Sequence, residues 1–278
     1  MRRGPRGGPG AFGLRLARAE QLLDGEGGAA HAPLSMLVDV LRHQQARAPV
    51  APIAAARSAA GGSPLLDVEA AAPSIVQEVE PAVAALGAAV PPALAEAGDT
   101  LRALAPSESA AVIETWLDDP ALVEPRLGFW VRVAAGPVLE TGAAGVAVPG
   151  QWKGAACPVC GGQPQASAIA EESGEFMAGS PRSLICGRCA TWWPYPRVTC
   201  PSCGEDDSRL IESFLVEGRR SVRVDTCATC RGYIKTFDLR ERGAVEIVPL
   251  VDDVATLTLD VWAQQRGFSR SVPSVAGV

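Results

Sequence analysis

Apolar residues in the first half of the chain recur at helical spacing, in stretches separated by proline and glycine. Within each stretch they lie three or four residues apart, which is the pattern of an amphipathic helix. The defining apolar positions are Leu14, Leu16, Leu22 and Leu23; Leu34, Met36, Leu37, Val40 and Leu41; Ile75, Val79 and Val83; Val112, Ile113 and Trp116; and Phe129, Trp130 and Val133. We expect Gly25 to Gly28 to end the first helix, and Ser107 or Ser109 to cap the fourth. The pattern predicts an all-helical domain at residues 11–148.

Past the middle of the chain the helical spacing stops and short runs typical of strands begin. Residues 221–224 and 233–237 are rich in β-branched and aromatic side chains. A last helix is expected to be capped by Asp252 or Asp253 and to end at Gly267. Its apolar positions are Val254, Leu257, Val261 and Trp262. Helices followed by short strands and a final helix predict an α+β protein.

Composition and charge narrow the class of protein. The net charge of −6 and the pI near 5.1 argue against nucleic-acid binding, which needs a basic face. The longest apolar stretch, Pro81 to Ala95, is interrupted by Pro91-Pro92 and is too short to span a membrane. Arg2-Arg3 is followed by glycine, proline and arginine where an export signal needs an apolar segment. We therefore expect a cytoplasmic protein whose Met1–Gly10 tail is disordered.

All eight cysteines form C-x-x-C pairs within a short part of the second half. The pairs are Cys157/Cys160, Cys186/Cys189, Cys200/Cys203 and Cys227/Cys230. In a reducing cytosol such cysteines are expected to bind metal or to do redox chemistry rather than form structural disulfides. A C-x-x-C turn brings two thiolates to one side, and two such turns complete a tetrahedral site. The sequence therefore predicts two four-cysteine metal sites.

The spacing of the pairs indicates which of them share an ion. Twenty-five residues separate Cys160 from Cys186, and 23 separate Cys203 from Cys227. The first pair of each set reads C-P-x-C-G and the second does not, which indicates one ribbon-like module used twice. Sequential pairing follows, and the competing arrangement, which joins the two middle pairs, breaks this repeat. Four sulfur ligands suit zinc and iron equally, so the sequence leaves the ion open.

The remaining polar candidates have ordinary structural explanations. We expect His31 and His43 to be surface or packing residues. The acidic turn Glu205-Asp206-Asp207 is expected to be solvated. The other candidates are Asp252, Asp253 and Asp260, expected in helix capping and at the surface, and Trp192 and Trp193, expected to pack between the two modules. No nucleophile–base pair, phosphate loop or catalytic carboxylate pair emerges, so we expect no enzymatic activity and no catalytic residue.

The second half resembles the FdhE family, accessory proteins for the assembly of formate dehydrogenases. The resemblance covers about Cys157 to Asp260 and rests on long motifs around the cysteines. They are Cys157-Pro-Val-Cys-Gly-Gly, Leu184-Ile-Cys-Gly-Arg-Cys-Ala-Thr-Trp-Trp, Arg197-Val-Thr-Cys-Pro-Ser-Cys-Gly, Val224-Asp-Thr-Cys-Ala-Thr-Cys-Arg-Gly-Tyr-Ile-Lys-Thr and Asp252-Asp-Val-Ala-Thr-Leu-Thr-Leu-Asp. It implies two rubredoxin-like modules that bind iron through the eight cysteines, a cytoplasmic location, and contact with the catalytic subunit of a molybdenum- or tungsten-containing formate dehydrogenase.

The expected organisation is thus a tail at 1–10, a helical domain at 11–148, a first rubredoxin-like module at 149–196, and a second one at 197–278 with a C-terminal helix. Two rival functions remain. A nucleic-acid-binding zinc ribbon is disfavoured because residues 182–242 hold only 11 basic against 8 acidic residues. A rubredoxin-like electron carrier requires a reversible iron couple.

Overall fold

A computed structural model of the chain describes residues 9–25, 28–52, 54–56, 63–170, 182–216, 219–240, 246–275 and 277. Residues 1–8 of the expected disordered tail lie outside this part, and Pro9 and Gly10 already belong to the first helix. The helices of the first half are α1 (Pro9–Gly25), α2 (His31–Arg47), α3 (Ala72–Leu86), α4 (Pro92–Ala103), α5 (Pro106–Asp118) and α6 (Pro125–Ala144). The five helices predicted from periodicity are present.

Helix α4 and the start of α5 differ from the sequence-based prediction. Alanine, glycine and charged residues dominate α4, and its buried residues are only Gly98 and Leu101, so few large apolar residues mark this helix in the sequence. Neither Ser107 nor Ser109 caps α5, because both lie inside it. Ala105 is the N-cap residue, and its N–H donates to the Glu108 carboxylate at 3.0 Å. Pro106 fixes the first helical position, where no N–H is needed.

Helix α6 is the centre of the helical half. It packs against α3 and α4, and its buried face includes Trp130, Val133 and Leu139. Trp130 is fully buried, and its indole N–H donates to the carbonyl of Leu94 in α4 at 2.7 Å. This core continues into the cysteine-rich half, because Trp193 belongs to the same buried cluster. The helical half and the first four-cysteine module therefore share a core.

The second half contains one six-stranded sheet in the order β3-β2-β1-β6-β5-β4. Its strands are β1 (Pro164–Ile169), β2 (Arg182–Cys186), β3 (Trp192–Pro194), β4 (Ile211–Val216), β5 (Arg219–Cys227) and β6 (Tyr233–Asp238). Two antiparallel three-stranded units, β1-β2-β3 and β4-β5-β6, are joined by parallel pairing of β1 with β6. The internal repeat predicted from the cysteine spacing is thus a structural repeat, and the α+β class is confirmed.

Two helices, α7 (Pro249–Ala255) and α8 (Leu257–Gln265), follow the sheet where one was predicted. The predicted cap is wrong: Val248 is the N-cap residue of α7, and Asp252 and Asp253 lie inside the helix. The Asp252 carboxylate does accept the N–H of Val248 at 2.8 Å. Asp253 instead faces the sheet and is completely buried. Among the described residues, no helix is long and apolar enough to cross a membrane.

Candidate metal centres

The four C-x-x-C turns share one backbone arrangement. In each turn the N–H of the first cysteine donates to the carbonyl of the residue five positions later, at 2.8–2.9 Å. The first and third turns precede β1 and β4, and the second and fourth connect β2 to β3 and β5 to β6. A backbone N–H also donates to a cysteine sulfur at 3.3–3.4 Å in three of them, from Arg188, Ser202 and Gly232. These donors favour thiolates over neutral thiols.

The residue after the second cysteine of each turn has a positive φ. This residue is Gly161 (φ +74°) in the first turn and Gly204 (φ +80°) in the third, as the C-P-x-C-G motif predicts. The second and fourth turns place Ala190 (φ +55°) and Arg231 (φ +58°) there. Gly232 is therefore not the left-handed residue of the fourth turn. These two turns form without glycine, at the cost of a strained backbone.

The turns come together in the sequential arrangement. The first cluster holds Cys157, Cys160, Cys186 and Cys189, and the second holds Cys200, Cys203, Cys227 and Cys230. All Sγ atoms of a cluster lie within 4.8 Å of one another. The closest pairs are 3.7 and 3.4 Å apart in the first cluster and 3.7 and 3.7 Å in the second. The alternative arrangement, with the two middle pairs together, is not formed.

The sulfur distances test whether these residues fit a metal ion. A tetrahedral ion with metal–sulfur bonds of about 2.3 Å places its sulfurs about 3.8 Å apart. The observed separations lie close to this value and are far longer than a disulfide bond, and all eight cysteines are free. The donor set therefore fits a tetrahedral Zn²⁺ or iron ion in both clusters, and it does not choose between them.

Ionisation of all four thiols in the first cluster is unfavourable without a bound cation. Burial opposes ionisation of Cys186, but hydrogen bonds from the thiols of Cys157, Cys160 and Cys189 outweigh it and lower its pKa well below the ordinary value. Burial and its thiol neighbours raise the pKa of Cys189 well above that value. Four thiolates packed together in this buried pocket therefore require a positive ion at the centre.

The structure also shows a buried polar cluster that the sequence did not predict. Four charged side chains, each at most 4% exposed, form a network of ion pairs: Lys235 of β6, Asp253 of α7, Asp260 of α8 and Arg270. Asp253 and Asp260 were expected at the surface, and that expectation is wrong. A signal was available in the sequence, since Asp253 and Asp260 are spaced to share a face with apolar residues of the two helices.

The other candidates lie away from the sulfur clusters or support them. His31 is exposed, and His43 is a buried packing residue whose pKa is lowered by burial. Glu205, next to the third turn, connects it to the fourth, because its carboxylate accepts the Thr229 hydroxyl at 2.7 Å. Trp193 packs in the core beside the first cluster, and its indole N–H donates to Gly154 at 3.1 Å. None of these places a nucleophile beside a base.

The fold and the sites define a class of protein: a helical domain joined to tandem four-cysteine ribbon modules on one sheet. Residues 198–276 match the family model for the FdhE C-terminal domain. A crystal structure of the FdhE protein from Pseudomonas aeruginosa superposes with a TM-score of 0.71 at 25% identity, covering 99% of this chain and 97% of that one. Together with the relatives described next, these matches support the predicted resemblance to the FdhE family.

Curated relatives named "Protein FdhE homolog" extend the match toward the helical half. The Aquifex aeolicus protein is 34% identical over 174 residues, which is 62% of this chain and 59% of that protein. The Pseudomonas aeruginosa protein is 31% identical over 160 residues, or 56% of this chain and 50% of the relative. The Shewanella oneidensis protein is 37% identical over 112 residues, or 40% and 35%. The aligned part of the chain thus spans between about a third and three fifths of these relatives.

Proposed function

We propose that this chain is an accessory factor for the maturation of formate dehydrogenase, that it binds the catalytic subunit of that enzyme in the cytoplasm, and that it is not itself an enzyme. One observation carries the proposal: two complete four-cysteine clusters, formed by every cysteine of the chain, in a protein whose residues 198–276 match the FdhE C-terminal domain. The motifs around these cysteines resemble those of the FdhE family, and this resemblance is the reason for proposing formate dehydrogenase as the client.

The eight cysteines are proposed to hold two ions, which the resemblance suggests are iron. A four-sulfur site has no open position for substrate, so the ion supplies structural cross-linking and, if it is iron, a one-electron couple. The chain contributes the turn hydrogen bonds that orient the sulfurs and the backbone N–H donors that stabilise them. Both modules lie on one continuous sheet, so we expect the client to meet them as one surface.

Anaerobic purification with metal analysis and a visible spectrum tests the metal sites. Two ions per chain are expected, with a thiolate charge-transfer band if they are iron. Cys157→Ser and Cys200→Ser should each remove one ion, whereas Ser208→Ala, at an exposed position of the second module, should retain both. Free thiols without metal in the anaerobic protein would contradict the metal assignment.

Complementation tests the client. The chain is expressed in a bacterium that has formate dehydrogenase but lacks its own FdhE protein, and restored formate oxidation is the expected result. Co-purification with the tagged catalytic subunit, compared with an unrelated molybdoenzyme subunit, tests direct binding. Restored activity without specific co-purification would contradict direct binding to the catalytic subunit. Failure of a well-expressed, metal-loaded chain to restore activity would contradict the proposed function.

A further inference from the structure

The two sulfur clusters differ in their access to solvent. The four cysteines of the first cluster are at most 1% exposed. In the second cluster Cys200 and Cys227 are buried, but Cys203 and Cys230 are exposed. The turns of the two clusters have the same backbone arrangement, so the difference in exposure comes from the parts of the chain that cover each cluster.

The first cluster is covered by the helical half. The segment before α3 lies over the first turn, where Leu65 and Leu66 donate to the carbonyls of Pro158 and Val159 at 3.0 and 2.8 Å. Arg188, within the second turn, donates to the carbonyls of Trp116 and Leu117 in α5 at 3.0 and 2.6 Å. All four cysteines belong to the main apolar core. An external ligand therefore reaches these sulfurs only after part of the core has opened.

The second cluster is covered in part by the chain that follows α8. The segment after α8 contacts it through the pairing of Gly232 with Ser269 and a hydrogen bond of 2.9 Å between the hydroxyls of Ser202 and Ser271. Arg231 lies over the ring of Phe268, 3.9 Å from its centroid. Cys203 and Cys230, by contrast, are exposed residues.

We propose that the second cluster exchanges its metal ion with thiolate ligands of other molecules through Cys203 and Cys230, while the first cluster retains its ion as a structural cross-link. The inference rests on the metal binding in the proposed function. Each incoming thiolate forms one bond to the ion, and one cysteine thiolate of the cluster, beginning with Cys203 or Cys230, leaves and accepts the proton that the incoming thiol gave up. Four such substitutions transfer the ion to the acceptor. No atom changes oxidation state, so no oxidant or reductant is needed.

The surface around the second cluster suits a ligand carried by a protein. Leu210 is 37% exposed, and its carbonyl accepts the N–H of Ala228 in the fourth turn at 2.8 Å. Val198, two residues before Cys200, is 45% exposed, and Leu215 on the edge strand β4 is 71% exposed. Of these residues, Leu210 contacts the fourth turn directly and offers an exposed apolar side chain beside the cluster. A small thiol offers the same sulfur chemistry, so the test includes both sources.

Metal release from the zinc-loaded full-length chain tests the inference. With excess chromophoric chelator, we expect two phases of one ion each, with the fast phase at least about tenfold faster than the slow one. Cys203→Ser should abolish or further accelerate the fast phase and leave the slow phase unchanged. Two ions released in a single phase would overturn the inference, and yet the two-ion metal assignment would stand. A chain that binds no zinc or iron would instead refute the metal assignment itself.

Alkylation of the wild-type loaded chain gives a test that needs no variant. Limited treatment with a maleimide followed by peptide mass spectrometry should label Cys203 and Cys230 before any cysteine of the first cluster. Earlier labelling of Cys157 or Cys160 would overturn the inference.

Acceptor assays distinguish the two sources of the incoming thiolate. Glutathione and a metal-free four-cysteine ribbon peptide are compared at equal thiol concentration. Uptake of one ion per chain by either supports exchange, and uptake by neither over hours contradicts it.

Discussion

The ammonium Nζ of Lys235 lies 2.7 Å from Oδ1 of Asp253, and neither side chain has any exposed surface. Lys235 also pairs with Asp260 at 2.6 Å, and Arg270 pairs with both aspartates at 3.1 and 2.9 Å. Two positive and two negative groups thus balance inside the protein. They join β6, an interior strand of the sheet, to α7, α8 and the segment after α8, which also contacts the second cluster.

Removal of Lys235 should therefore be strongly destabilising. Lys235→Met leaves two buried carboxylates with one cation, and breaking a buried pair in this way costs about 3–5 kcal/mol. Denaturant unfolding of the metal-loaded protein measures the loss. Arg209→Gln is the matched control, because the Arg209–Asp207 pair is on the surface and its removal should change the midpoint little. Equal midpoints for both variants would show that the buried cluster does not hold the helices on the sheet.

The same cluster predicts a loss of stability in acid. Burial opposes ionisation of Asp253, but the charges of Arg270 and Lys235 outweigh it and lower its pKa to about 2. A carboxylate with a depressed folded-state pKa stabilises the fold above its unfolded pKa of about 3.9, and this contribution is lost as the pH falls toward 2. Its size is about 2 kcal/mol. Unfolding midpoints between pH 5 and pH 2 should show the loss, and Asp253→Asn should remove that part of the pH dependence.

The features that were predicted correctly from the sequence are those that depend on local residue spacing. Apolar spacing identified α1, α2, α3, α5 and α6, and the cysteine spacing identified the two clusters and their pairing. The sequence pattern missed the buried role of Asp253 and Asp260, because a charged residue is normally assigned to the surface and only the tertiary fold brings Lys235 and Arg270 to it. It also could not show that one cluster is covered and the other open, since the cover comes from α5 and the segment near Leu66, distant in sequence.

Backbone strain in the turns predicts opposite effects at two matched positions. Ala190 has a φ of +55°, in the left-handed region that costs a residue with a Cβ about 1–2 kcal/mol. Ala190→Gly relieves this and should stabilise the metal-loaded protein by about 0.5–1 kcal/mol after the greater unfolded-state entropy of glycine is subtracted. Gly161→Ala, at φ +74° with room for a Cβ, should destabilise it by a similar or larger amount. Shifts of the same sign at both positions would contradict the strain argument.

Arg188 is expected to couple the first cluster to the helical half. Its guanidinium donates to the last-turn carbonyls of α5 and lies over the Trp116 ring at 5.1 Å from the centroid, so it connects a cysteine turn directly to a helix C-terminus. Hydrogen bonds from a charged donor contribute about 1.5–3 kcal/mol, and Arg188→Met should lose most of this. Hydrogen exchange should then show faster exchange in α5 and in the second turn, with α8 and the second cluster unchanged. Arg188→Lys should recover only part of the protection, because a lysine cannot reach both carbonyls with a planar fork. Full protection of α5 in Arg188→Met would show that the shared apolar core alone joins the first cluster to the helices.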